Sequence, residues 1–434
     1  MTALSAGGFP EGRVRDRARR GPAAAFPAAE DYGHTLYGAG PDGPVRADPL
    51  DQLRLVPPVF TPGRLAKLIE LGREPLPDDV DLRCRLGGFD SPYPLYVSAF
   101  GSTRVAGDGL GVAVAQQAGI LGLPLVIGEN IVPVAGYGRL EEPDRPAMLL
   151  ARIRAYADHV PPGVGGVVVQ QSTEDADAEV WNLVHSDPNV GPLLDTGRLG
   201  FELKVGQGAK PGLGGMTLVD AGTAERLGNA YAYGSAFGAG SDSILRCSSP
   251  GTFTADILDC QVALMRSNFP RCRAWVKLPP GRDVGTAAAV ARDAGADAVT
   301  VDGAEGGTGW APVSFLDHVG LPLAECLRLI DRPRGRAGTL LASGRMWEGT
   351  RAVKAMALGA GGVGLGRAAL LAVDECPEAG LVNLVRCLAV ELRMLISALG
   401  KYAVAEVDAS DTWPRPTGAR ADQPAEPATA TRRP

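Results

Sequence analysis

The chain has 434 residues, 45% of them hydrophobic, and its 43 Lys and Arg against 49 Asp and Glu give a net charge of −6 and a pI near 5.4. That is enough apolar chain for a large α/β core, while the acidic balance excludes the positive field that a nucleic-acid partner needs. Seven scattered cysteines without a C-x-x-C pair, four histidines without ligand spacing, no membrane-length apolar run and no signal-peptide segment lead us to expect a cytoplasmic chain with no metal site and no membrane contact.

Residues 1–30 mix Arg, Ala, Gly and Pro without periodicity and read as a disordered head; the cluster Arg13 to Arg20 lies within it. Residues 31–90 are Pro-rich, with a helix expected at Arg64 to Leu71, and read as an extension wrapping the main domain. From residue 91 to 400, short apolar runs alternate with Ala- and Gly-rich helical stretches, the signature of βα units around a parallel sheet. Eight strands are expected, at Pro94 to Phe100, Leu123 to Gly128, Gly166 to Ser172, Phe201 to Gly206, Ala274 to Leu278, Ala298 to Gly303, Thr339 to Gly344 and Gly361 to Gly366. Eight strands with helices between them predict a (β/α)8 TIM barrel, whose site lies at the C-terminal ends of the strands. Residues 207–272 are long for one connection and read as an excursion above the barrel. A closing helix, Gly380 to Ala398, presents Leu381, Leu384, Leu388, Leu392 and Leu395 on one face. Residues 409–434 read as a disordered tail.

The sixth run ends in Asp302 and opens into Gly303-Ala-Glu305-Gly-Gly-Thr-Gly309, four glycines in seven residues. A turn so bare of side chains at a strand end suits a ligand that approaches the backbone; a flexible surface loop is the plainer alternative. The seventh and eighth runs end in Ser343-Gly344-Arg345 and Gly364-Leu365-Gly366-Arg367. In this fold those two turns form the usual phosphate seat, because free backbone N–H groups and a helix N-terminus converge on an anion. Lys277 sits between apolar neighbours in the fifth strand and needs a negative partner. Either the electron-rich edge of a reduced flavin or an ion pair with Asp302 or Glu305 would supply one. Lys204 repeats the pattern in the fourth strand, and Lys210 adds a third cation, which points to an anionic substrate.

FELKVGQGAKPGLGG (Phe201 to Gly215), WVKL (Trp275 to Leu278), the block from Val284 to Pro312, LDHVGLP (Leu316 to Pro322) and MALGAGGVGLGRAALLA (Met356 to Ala372) together resemble the FMN-binding synthase domain of glutamate synthase. The resemblance implies FMN in the barrel. Ser98, Ala99 and Gly303 would lie against the flavin, Lys277 at its pyrimidine edge, and Gly344, Arg345, Gly364, Gly366 and Arg367 around its phosphate. Lys204, Gln207, Lys210 and Glu129 would handle substrate, with Lys277, Glu129 and Glu305 nearest the chemistry. The chain departs from that pattern in three ways. Only Cys376 and Cys387 follow the eighth strand, without the spacing for a 3Fe-4S cluster; no glutaminase domain is present; and Trp310 and Ser343 replace residues expected of the family.

The resemblance therefore implies an FMN-dependent oxidoreductase that passes a hydride between flavin N5 and a small amino, imino or hydroxy acid. Its electrons would be exchanged with oxygen, a second substrate or a partner protein. Two alternatives stand beside it: an FMN-dependent isomerase with no net redox change, and a synthase subunit that needs partner chains. A homo-oligomer is compatible with either.

Overall fold

Eight runs rich in Val, Leu, Ala and Gly, buried on both faces, form parallel strands β1 (Leu95–Val97), β2 (Leu125–Ile127), β3 (Val167–Ser172), β4 (Leu199–Lys204), β5 (Arg273–Leu278), β6 (Ala298–Asp302), β7 (Thr339–Ser343) and β8 (Gly362–Leu365). They close in chain order, with β8 beside β1 and β4 beside β5. The computed structural model describes residues 49–59, 73–100, 109–128, 145–173, 179–206, 208, 217–228, 231–234, 243–247, 252–306, 311–330 and 338–414. Each strand falls inside, or within two residues of, its expected run, and the barrel is the expected (β/α)8 fold.

The main outer helices are α1 (Leu110–Leu121), α2 (Arg145–Ala157), α3 (Glu179–Ser186), α4 (Ala255–Asn268), α5 (Val284–Asp293), α6 (Leu323–Leu329), α7 (Gly349–Ala357), α8 (Arg367–Glu375) and α9 (Gly380–Ala398). The Thr254 side chain accepts from Ile257 N and fixes the start of α4. In α9 the buried stripe is Leu381, Val385, Leu388, Leu392 and Ile396, whereas Leu384 and Leu395 are only half-buried. The helix is where the sequence places it, rotated slightly because a 3.6-residue period tracks Val385 and Ile396 toward the core.

The extension supplies the floor. A hairpin, Cys84–Leu86 with Phe89–Ser91, pushes Leu86 and Phe89 into the N-terminal mouth against Trp275, Val168, Ala298 and Leu341. The Trp275 indole N–H donates to Gly87 O at 2.9 Å. Gly87 has φ +54, and a Cβ there would lie 2.4 Å from the indole, so both the turn and the close approach require glycine.

Farther out, Arg54–Leu55 pairs antiparallel with Thr412–Trp413. The chain from residue 409, where composition places the start of an unstructured tail, instead forms a 3-10 turn (Ala409–Asp411) and this short strand. Lys401 pairs with Asp411, and Asp408 caps Ser410 N, tertiary contacts that composition does not register. Within the 207–272 excursion, Thr217–Asp220, Tyr233–Gly234 and Ser243–Arg246 form a small antiparallel sheet. The helix expected at Arg64 to Leu71 lies outside the described residues.

Candidate functional site

Alternate residues of each strand face the barrel interior, and their chemistry changes with height. Low in the barrel stand Val168, Trp275, Ala298 and Leu341. One pleat higher are Gln170, Glu202 and Thr300, and at the C-terminal mouth Ser172, Lys204, Lys277, Asp302 and Ser343. The registers Ser172↔Lys204↔Lys277↔Thr300 and Asp302↔Ser343↔Gly364 set these side chains side by side.

Lys277 Nζ lies 3.1 Å from Asp302 Oδ2, both side chains almost wholly buried. Ser343 Oγ donates to the other Asp302 oxygen, and Gly208 N approaches Oδ2 at 3.4 Å. Of the two acids weighed for this lysine, Asp302 is in contact. Below the pair, Glu202 accepts from Gln170 Nε2 and from Thr300 Oγ1 at 3.1 Å. Burial pushes the Glu202 carboxyl above the ordinary carboxylate range, partly offset by the positive charge of Lys277.

Tyr96 Oη and Ser98 Oγ crowd the same mouth from β1 and its end. A Cβ on Gly364 would lie 2.0 Å from Ser98 Oγ and 2.7 Å from Tyr96 Oη. Both oxygens are buried, and neither reaches a partner at hydrogen-bond geometry among the described residues, although the two lie close together. Ala99 packs beside them on the interior cluster. Buried hydroxyls of this kind ordinarily have a partner.

At the rim, Gly344 has φ +137 and Arg345 has φ +52, while Gly366 and Arg367 begin α8. Arg367 Nη2 donates to Glu305 O at 2.7 Å, and burial together with the nearby Arg345 and Arg351 lowers its pKa. Three guanidiniums thus lie near one another beside the ends of β7 and β8. Glu305, after Gly303, turns its carboxylate to the Leu323 N–H at 2.9 and 3.2 Å.

The fold therefore gathers Ser98, Ala99, Lys204, Lys277, Gly303, Glu305, Gly344, Arg345, Gly364, Gly366 and Arg367 at one end of the barrel. Glu129, Gln207, Lys210 and Trp310 lie outside the described residues. Sequence reasoning missed Gln170, Glu202 and Tyr96 as interior polar groups; the signal was the polar spacing of two in VVVQQS and LGFELK, strands otherwise apolar. It also missed Asp51 and Arg351, which are 300 residues apart and carry no local signal.

Residues 193–389 match the family model described as the conserved region in glutamate synthase. From β4 into α9 the barrel is similar to the synthase region of the glutamate synthases. The matched span runs from before β4 into α9 and so includes Lys204, Lys277, Glu305, Arg345 and Arg367. An archaeal-type glutamate synthase [NADPH] of Dehalococcoides mccartyi is 29% identical over 265 residues, 53% of this chain and 52% of its own length. A glutamate synthase large subunit-like protein of Rhizobium meliloti is 35% identical over 185 residues, 40% of each chain. The chain thus spans about half or less of the length of these relatives. Among solved structures, a mandelate oxidase carrying a C4a-hydroxy-FMN adduct superposes with a TM-score of 0.51 at 19% identity, over 90% of this chain and 97% of that one, a likeness of fold. No helix among the described residues is long and apolar enough to cross a membrane.

Proposed function

We propose that this synthase domain is an FMN-dependent oxidoreductase that moves a hydride between the flavin and a small anionic substrate of the amino, imino or hydroxy acid type. The observation that carries the reading is a convergence at one mouth: Arg345 and Arg367 at the ends of β7 and β8, the buried Lys277–Asp302 pair, and the Ser98 and Tyr96 hydroxyls. A flat, hydrogen-bonding ring system with an anionic tail satisfies all three. The residues present therefore fit FMN, which is also named in the mandelate oxidase adduct.

In this reading the flavin supplies hydride exchange at N5. Gly344, Arg345, Gly364, Gly366 and Arg367 would hold the phosphate, with the backbone N–H groups that open α8 aimed at it. Lys277, held by Asp302, would place positive charge at the pyrimidine edge, where Ser98, Ala99 and Gly303 lie against the ring. Lys204 would orient the substrate carboxylate, joined by Gln207, Lys210 and Glu129. Glu305, through its hold on Leu323 N and Arg367, keeps the glycine turn in place.

The chain purified and reconstituted with FMN should show flavin absorbance, and one of a panel of amino, imino or hydroxy acids should bleach it without oxygen. A chain that takes up no flavin, or a bound flavin that no such acid reduces and no product re-oxidises, sinks the proposal. A second reading, in which turnover requires partner chains, is favoured by the large subunit-like relative. Turnover that appears only when a reductase or glutaminase chain is added supports that reading.

A further inference from the structure

Resting on the flavin reading above, we propose that Asp51 and Arg351 form a clamp that presets the Gly344–Arg345 turn, making the N-terminal extension a working part of the phosphate seat. Asp51 lies on the short helix Pro49–Gln52, at the far end of the sequence from β7. Arg351, on α7, is wholly buried. One of its terminal nitrogens pairs with Asp51 Oδ1, and the other donates to Gly344 O at 3.3 Å. A single guanidinium thus ties the extension to the carbonyl of the turn itself. Arg345 Nη2 reaches the second Asp51 oxygen at 3.5 Å, and Lys354 Nζ donates to Asp51 O at 3.0 Å.

Arg345 is the one non-glycine residue with positive φ among the described residues. A side chain held in that region is strained and persists only where its surroundings over-determine it, a pattern concentrated at ligand clamps. The surroundings here are the Gly344 carbonyl fixed by Arg351 and the Arg345 side chain fixed by Asp51. Without them the turn would relax toward negative φ and carry the Arg345 head group away from Arg367. Asp51 and Arg351 are positioning residues: they shape the seat through Gly344 and Arg345.

The test uses the full chain with Asp51→Asn and with the double variant Asp51→Asn/Arg351→Met. The double variant removes the buried Arg351 charge together with its partner and should fold where the single one, which leaves Arg351 without that partner, fails. Hydrogen exchange without flavin should speed up across residues 343–348. Titration should give FMN binding about tenfold to a hundredfold weaker, the loss expected of a charge-assisted contact, with riboflavin, which lacks the phosphate, unchanged. Unchanged exchange overturns the clamp whatever the flavin does. A parallel loss for riboflavin, or FMN affinity equal to the parent's in a chain that binds FMN, overturns it as well. If the parent chain binds neither flavin but exchange in the turn still rises in the variants, the clamp stands and the flavin reading falls.

Discussion

The two ends of the barrel interior are built from the same strands yet behave as different materials. At the N-terminal end, Trp275 packs tilted against Phe89 and edge-on to Tyr96, with Leu86 and Val168 in the same cluster and the indole N–H satisfied by Gly87 O. Toward the C-terminal end, the barrel strands present Lys277, Asp302, Ser343 and Lys204, with Glu202 below them. Each material serves its end. An apolar floor gains stability from every ångström of contact, whereas a polar mouth keeps charges that would be costly without partners and holds the buried Tyr96 and Ser98 hydroxyls.

The comparison can be broken first at the floor. Trp275→Ala should lower unfolding free energy by about 4 kcal/mol, the usual cost of an aromatic cavity, while the fraction that remains folded keeps its affinity for FMN. Denaturant unfolding and flavin titration check the two halves, and a floor variant that loses flavin affinity at full folding would dissolve the distinction.

At the mouth, Lys277→Met strands Asp302 in the interior and should cost about 3 kcal/mol. Adding Asp302→Asn should recover part of that stability without restoring flavin binding. Equal stability of Lys277→Met and the parent chain would show that the pair is not a coupled buried unit.

Between the layers, Glu202→Gln should have a smaller effect, of about 1 kcal/mol, with a distinctive pH signature. Because the folded-state pKa of Glu202 is raised, the native state binds a proton more tightly than the unfolded chain does. The associated stability is present below the ordinary carboxylate pKa and declines as pH rises toward the raised one. The Gln variant should flatten that decline in a pH series of unfolding midpoints; an unchanged slope would remove Glu202 from the coupling.

The least perturbing test is chemical labelling. Burial pushes the Cys84 and Cys326 thiols up to about 12, and Cys84 lies in the floor hairpin. Native protein at neutral pH should alkylate at the exposed Cys260 and Cys387 and spare Cys84 and Cys326. Trp275→Ala should speed labelling at Cys84 before Cys326, as the floor loosens ahead of the wall.

Much of this was legible along the chain because it is local. Strands buried on both faces must be apolar runs, so β1 to β8 declared themselves. The turns at Gly344 and Gly366 were visible because glycine interrupts an apolar run where the strand ends, and at Gly344 the backbone has φ +137, which other residues rarely adopt. Lys204 and Lys277 stood out because a cation in an apolar strand demands a partner.

What the linear chain could not show was which groups meet. Lys277 had two candidate acids, and the choice of Asp302 followed from barrel register and not from any feature of either residue. Glu305, read as a pocket acid, turns to the Leu323 N–H because α6 begins beside it.

The sequence by itself determined the barrel, its glycine turns and the cations of its mouth, since apolar periodicity, backbone freedom and charge burial act over a few residues. Only the tertiary structure decided that the extension floors the barrel with Phe89 and brings Asp51 to Arg351 across 300 positions. Contacts between distant segments depend on how closed elements pack, and packing leaves no periodic trace in either partner's sequence.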